Sequence, residues 1–96
     1  MKKLEKINEE IIKKFEITFT NTRKFYISAQ TITSFINKLR KLDPLIEYNP
    51  KEDGTLENSK IIHIKSSLLS VKQINELIKE FTVKYDWLVM TVVVKG

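Results

Sequence analysis

The sequence predicts an α+β protein, with an antiparallel sheet and helices packed mainly on one of its faces. Two adjoining stretches near the C-terminus carry this prediction. Ser70 and Gln73 form an S-x-x-Q capping box, and apolar residues follow at three- and four-residue intervals as far as Tyr85, which indicates an amphipathic helix. Residues 87–94 then read WLVMTVVV, a β-branched and aromatic run that is typical of a strand.

This C-terminal strand is apolar on both faces, so each face needs a cover. Helices can cover one face only, and the other face would then be a surface for association with a second copy or with another protein. The candidate interface residues are Trp87, Leu88, Val89, Met90 and Val92. The alternative is that an N-terminal helix folds over this strand within the same molecule.

The N-terminal part of the chain is predicted to form that helix and a β-hairpin. Apolar residues recur on one stripe of residues 2–14, which indicates a helix that lies at the periphery of the domain or packs on the sheet. Residues 15–20 and 25–29 each alternate between apolar and polar side chains, with a polar segment between them. This pattern predicts a hairpin with one solvent-exposed face and with Phe25 and Ala29 on the inner face.

A central helix is predicted to begin at a cap on Thr31 or Thr33. It ends at Asp43, because the residue before a proline is disfavoured in the helical conformation. Its buried stripe is made of apolar residues at helical spacing, which are Ile32, Phe35, Ile36, Leu39 and Leu42.

Two further strands flank the most polar segment of the chain, and they span residues 45–48 and 60–65. If Asp53-Gly54 forms the turn between them, Glu47 lies opposite Lys60 as a favourable cross-strand pair.

The element order is therefore α-ββ-α-ββ-α-β within a single domain over residues 1–96. From residue 25 onward it reads β-α-β-β-α-β, which resembles the split βαβ or ferredoxin-like pattern in element order. Because this fold hosts many unrelated activities, the resemblance implies no function.

The composition excludes several kinds of chemistry. The chain has no cysteine, and His63 is its only histidine, so we expect no metal site and interpret His63 as a structural or surface residue. Gly54 and Gly96 are the only glycines, which excludes a glycine-rich phosphate loop. We therefore predict a protein that is not an enzyme and has no cofactor. With no run approaching a membrane span, we expect it to be cytoplasmic.

A formal net charge of +5 supports a second hypothesis, which is nucleic-acid binding. All but two of the basic residues are lysine, whereas nucleic-acid sites favour arginine, and lysine richness is also typical of AT-rich coding. Small basic chains without catalytic motifs are typical of phage and plasmid accessory proteins, and that origin is a further hypothesis. The candidate contacts are Arg23, Lys24, Tyr26, Lys38, Arg40 and Lys41.

Overall fold

A computed structural model describes residues 11–95, in which five strands and two helices form an α+β arrangement with an antiparallel sheet. This confirms the predicted class. The elements are β1 (Lys13–Asn21), α1 (Ala29–Leu42), β2 (Glu47–Tyr48), β3 (Gly54–Leu56), β4 (Ser59–Ser66), α2 (Val71–Val83) and β5 (Leu88–Lys95), with a 3-10 turn at Pro50–Glu52 between β2 and β3.

The sheet has the strand order β2-β4-β1-β5, and β3 also pairs with β4. All of these pairs are antiparallel. β1 lies at the centre, where Ile17 is opposite Ile62 of β4 on one side and Val92 of β5 on the other. The edges of the sheet are therefore β5 on one side and β2 with β3 on the other.

One face of this sheet packs against both helices. β1 places Phe15, Ile17 and Phe19 on that face, fully buried, as its predicted alternation requires. The helices complete the same core through residues that lie on one stripe of each, which are Ile32, Phe35, Ile36 and Leu39 of α1 and Ile74, Ile78 and Phe81 of α2.

The capping box of α2 is formed as predicted. The Gln73 N–H donates to Ser70 Oγ at 3.2 Å, and the Ser70 N–H donates to Gln73 Oε1 at 2.9 Å. The cap of α1 differs from the prediction of Thr31 or Thr33, because Ser28 is the N-cap and its Oγ accepts from the Thr31 N–H at 3.2 Å. The earlier start leaves the predicted core stripe of α1 unchanged. The predicted burial of Leu42 is wrong, because this residue ends α1 and its side chain is exposed.

The predicted first hairpin is wrong, because residues 25–29 form no strand. Residues 25–28 belong to the connection from β1 into α1, and Ala29 is the first residue of the helix. The Phe25 side chain is 66% exposed. The physical reason is long-range pairing. β4 and β5 occupy both edges of β1, which leaves no edge for a local partner.

The helix predicted over residues 2–14 is wrong for residues 11–14, which are not helical. Its residues 2–10 lie outside the described part of the chain. Lys13 and Lys14 begin β1. Lys14 is held in the sheet on both sides, opposite Lys65 of β4 and Lys95 of β5. Two ladders therefore override the helical periodicity of this segment.

The strands around the polar segment also differ from the prediction. The turn does not form at Asp53-Gly54, because Asn49 caps a 3-10 turn there and Gly54 begins β3. The tight turn lies instead between Leu56 and Ser59, where Glu57 has a positive φ of 50°, as two-residue hairpin loops require. As a result Glu47 is opposite Lys65 rather than Lys60.

Candidate protein-binding edge and open sheet face

The two edges of the sheet differ in how they are protected against added strands. On one edge, β2 and β3 are only two and three residues long and are separated by a turn that contains Pro50. Short strands and prolines are devices that prevent edge pairing. On the other edge, β5 runs for eight residues, and its only charged residue is Lys95 at the end. The β5 edge therefore lacks the usual protection.

The hydrogen bonds at the start of β5 fix which of its peptide groups face outward. The Thr22 N–H donates to the Trp87 carbonyl oxygen at 2.7 Å, on the β1 side. Antiparallel ladders use every second residue in this way, so Val89, Thr91 and Val93 bond to β1. The residues between them point their N–H and C=O groups away from β1, and these are Met90, Val92 and Val94.

Leu88 is the first residue of β5 with the same outward phase, but its amide is already used. The Leu88 N–H donates to the Tyr85 carbonyl oxygen at 3.0 Å. Within residues 11–95, no strand pairs with the outer side of β5. Three successive outward residues, Met90, Val92 and Val94, therefore present unpaired donors and acceptors along an open edge.

The five predicted interface residues divide between the two faces of the sheet. Leu88 and Met90 are buried beneath the helices, and Val92 is half-buried on that same face. The Trp87 ring is half-buried against the core and lies 5.5 Å from the Tyr85 ring. Val89 alone of the five projects from the opposite face.

That opposite face carries no helix within residues 11–95, and we call it the open face. Cross-strand pairs define it: Thr18 lies between Ile61 and Thr91, and Thr20 lies between Ser59 and Val89. Val89 and Val93 are each 49% exposed. The open face is therefore a mixture of threonine and β-branched apolar side chains next to the unprotected edge.

A charged cluster occupies one end of the open face. Glu16 Oε1 lies 3.3 Å from Lys95 Nζ and 3.4 Å from His63 Nε2. Lys95 holds the pKa of Glu16 below its usual range through a hydrogen bond and through its positive charge, and His63 acts in the same direction. Partial burial of the Glu16 carboxylate acts in the opposite direction. The cluster ties β5 to β1 and β4.

We expect Glu16→Gln to reduce stability at neutral pH and to have little effect in acid. A carboxyl whose pKa is lower in the folded state stabilises the fold above the ordinary carboxyl pKa of about 4.3, and that contribution is lost as the pH falls through the lower folded value. Melting temperatures of the two proteins between pH 7 and pH 3 would measure this. The matched control is Glu80→Gln, which replaces an exposed carboxylate of α2. A difference in melting temperature between the parent and Glu16→Gln that stays constant across the pH range would contradict the lowered pKa of Glu16.

The predicted basic contacts do not form one surface. Arg23, Lys24 and Tyr26 lie in the connection before α1, whereas Lys38, Arg40 and Lys41 lie near its C-terminal end. A helix rises 1.5 Å per residue, so roughly 18 Å separates the first turn from Lys41. Arg23 is also neutralised, since its Nη2 bonds both carboxylate oxygens of Asp86 at 3.1 and 3.3 Å.

The structure brings together three other lysines that the sequence analysis did not group. Lys14 lies directly opposite both Lys65 and Lys95, which makes one row across three strands of the open face. Like charges in direct cross-strand positions are unfavourable, and Glu47 opposite Lys65 offsets part of this. Only the strand register reveals the row, because its members are far apart in sequence.

Within residues 11–95, no group of three or more His, Cys, Asp or Glu side chains is arranged so that it could hold a metal ion. Neither helix of this part of the chain combines the length and the hydropathy needed to cross a membrane. Comparison with models of protein families, with curated proteins and with solved structures gives no match.

Proposed function

We propose that this protein is a non-enzymatic binding protein that associates with another protein chain by accepting a strand along the outer edge of β5. The observation that carries the proposal is the row of outward peptide groups at Met90, Val92 and Val94 on an edge with no protecting charge or proline before Lys95. Strand addition to an exposed sheet edge is a general mode of recognition, in which main-chain hydrogen bonds supply affinity.

The side chains of β5 support the same proposal. Val94 shares the face of the sheet that the helices cover, yet it is 49% exposed, and Val93 on the open face is equally exposed. An added strand would cover apolar surface on both sides of the sheet at once, and burial of apolar surface contributes about 25 cal/mol per Å2. On the open face, Glu16 already contacts both Lys95 and His63, which favours a structural role for this carboxylate over a catalytic one.

Val94→Pro should weaken self-association by about 30-fold. Proline at position 94 removes an outward N–H that β1 does not use, and edge strands tolerate proline in that orientation. In a symmetric pair two hydrogen bonds would be lost, each with a net contribution of about 1 kcal/mol. Sedimentation equilibrium over a range of concentrations would give the dissociation constants.

Val94→Ala is the matched control, because it shortens the side chain but keeps the amide. It should weaken association less than Val94→Pro, and both variants should melt close to the parent chain. Equal effects of the two substitutions would contradict an edge mechanism. A mass of 11.3 kDa, that of one chain, at every concentration would reject self-association.

A second candidate function is binding of single-stranded nucleic acid by the connection between β1 and α1. The observation that favours it is the pair of neighbouring rings at Phe25 and Tyr26, which are 66% and 76% exposed beside Lys24. Exposed rings stack on bases, and lysines contact phosphates. Tyr26 and Lys24 were both among the sequence candidates, whereas Phe25 was not.

Fluorescence anisotropy of a labelled single-stranded oligonucleotide would test this second function. Phe25→Ala with Tyr26→Ala should weaken binding at least tenfold without changing its salt dependence, because each stacked base contributes about 1–3 kcal/mol. Lys24→Gln should instead lower the slope of affinity against salt by about one. Absence of salt-dependent binding by the parent chain would remove this candidate.

We also infer that the chain follows the ferredoxin-like pattern from β1 rather than from residue 25. Two strand-helix-strand units, β1-α1-β2 and β4-α2-β5, interleave in the order β2-β4-β1-β5. The interleaving of two such units is what the split βαβ pattern describes. This fold is the scaffold that holds the β5 edge, and it indicates no function by itself.

A further inference from the structure

We infer that the strand added to β5 is β5 of a second copy, antiparallel to the first and related to it by a two-fold axis through Val92. This inference rests on the proposed function. It goes further by naming the partner and the register of the pair.

Backbone pairing selects this register among the symmetric possibilities. With Val92 opposite the partner's Val92, Met90 faces the partner's Val94, and Val94 faces the partner's Met90. In an antiparallel ladder each of these pairs exchanges two hydrogen bonds. The register therefore satisfies every outward N–H and C=O group of the three residues on both strands.

The neighbouring registers pair fewer of these groups within the described residues. With the axis through Thr91, Val94 would face the partner's Leu88. The Leu88 N–H already donates to the Tyr85 carbonyl oxygen, so the carbonyl oxygen of Val94 would have no donor. With the axis through Val93, Met90 would face the partner's Gly96, and only Val92 and Val94 would pair within the described residues. An unpaired peptide group at a closed interface costs free energy.

Side-chain chemistry agrees with the register centred on Val92. On the helix-covered face, Val92 meets the partner's Val92, and Met90 meets the partner's Val94. On the open face, Thr91 lies opposite the partner's Val93, which is a β-branched pair that fits a pleated surface. Apolar side chains that are partly exposed in one copy would thus cover each other.

Charge favours the antiparallel arrangement over a parallel one. Lys95 would lie opposite the partner's Val89, six positions away from the partner's Lys95. At about 3.4 Å per residue the two lysines would be roughly 20 Å apart, which is well beyond the Debye length at physiological ionic strength. A parallel pair would bring the two rows of Lys14, Lys65 and Lys95 side by side.

Single-cysteine variants of the full chain would test the register, since the native chain has no cysteine. Val92→Cys should give a disulfide-linked dimer on mild oxidation, because the two Cα atoms of a hydrogen-bonded pair are about 5.5 Å apart, within the range that a disulfide spans. Val89→Cys is the matched control and should stay monomeric on non-reducing electrophoresis, because its two copies would be roughly 20 Å apart.

The other outcomes separate the register from the proposed function. If Thr91→Cys or Val93→Cys forms the dimer efficiently and Val92→Cys does not, the register is wrong while edge association stands. If the chain sediments as a dimer but none of these variants is linked, β5 is not the interface. If the chain sediments as one copy at every concentration, self-association itself fails.

Discussion

Replacing Phe35 with alanine should lower the free energy of unfolding by about 4 kcal/mol, which is the usual cost of removing a buried phenylalanine ring. Phe35 is fully buried on α1. Its ring meets Phe19 of β1 edge-on at 5.7 Å and Phe81 of α2 at 5.2 Å. The residue therefore joins the sheet to both helices, and its loss would leave a cavity bounded by three elements.

Urea unfolding followed by the fluorescence of Trp87, the single tryptophan, would measure this loss. Small domains have total stabilities of about 5–15 kcal/mol, so much of the fold's stability depends on this ring. Phe25→Ala removes the same atoms from a side chain that is 66% exposed, and it should cost no more than about 0.5 kcal/mol. Similar costs for the two variants would contradict the core described above.

Local signals in the sequence predicted the elements whose causes lie within a few residues. The Ser70–Gln73 capping box and the apolar stripe after it place α2, because both depend on neighbours along one helix. The stripe of α1 was predicted correctly apart from Leu42, although the cap of the helix was not. Ser28 precedes two threonines, at positions 31 and 33, and any of the three hydroxyls can cap a helix.

Strand partners could not be predicted in this way, because they depend on residues far apart in sequence. The alternation of residues 25–29 is a sound local strand signal, and yet β4 and β5 take both edges of β1. Pairing of β1 with these distant strands buries Phe15, Ile17 and Phe19 in a way that a short hairpin could not.

The candidate site was predictable in part. Two apolar faces on β5 can be recognised from the sequence WLVMTVVV alone. The positions of the helices are needed to assign Leu88 and Met90 to the helix-covered face. The hydrogen bond between Thr22 and Trp87 is needed to show that the peptide groups of Met90 and Val92 point away from β1. Sequence reasoning thus located the strand but could not tell its edge from its faces.

The second large effect is expected at the buried hydrogen-bond network that connects the end of α1 to the end of β4. Asp43 and Ser66 are 2% and 3% exposed. The Ser66 hydroxyl donates to Asp43 Oδ2 at 2.5 Å. Ser66 Oγ in turn accepts from the backbone N–H groups of Leu68 and Leu69 at 3.1 and 3.0 Å. Asp43 Oδ1 accepts from the Leu45 N–H at 3.0 Å.

Ser66→Ala should cost about 3 kcal/mol in the free energy of unfolding. It removes few atoms, but it leaves a buried carboxylate oxygen without its donor and two amides without their acceptor, and such unpaired groups cost more than the hydrogen bonds themselves contribute. Urea unfolding of the parent and of Ser66→Ala would measure the loss.

A double-mutant cycle with Asp43→Ala separates this network from ordinary loss of packing. Once Asp43 is absent, Ser66→Ala no longer leaves a buried carboxylate without a hydrogen-bond donor. The double variant should therefore be more stable, by about 1–3 kcal/mol, than the sum of the two single losses predicts. Strict additivity would mean that the two side chains stabilise the fold independently. The coupling matters for the whole domain, because this network fixes the turn that leads from the sheet into α2.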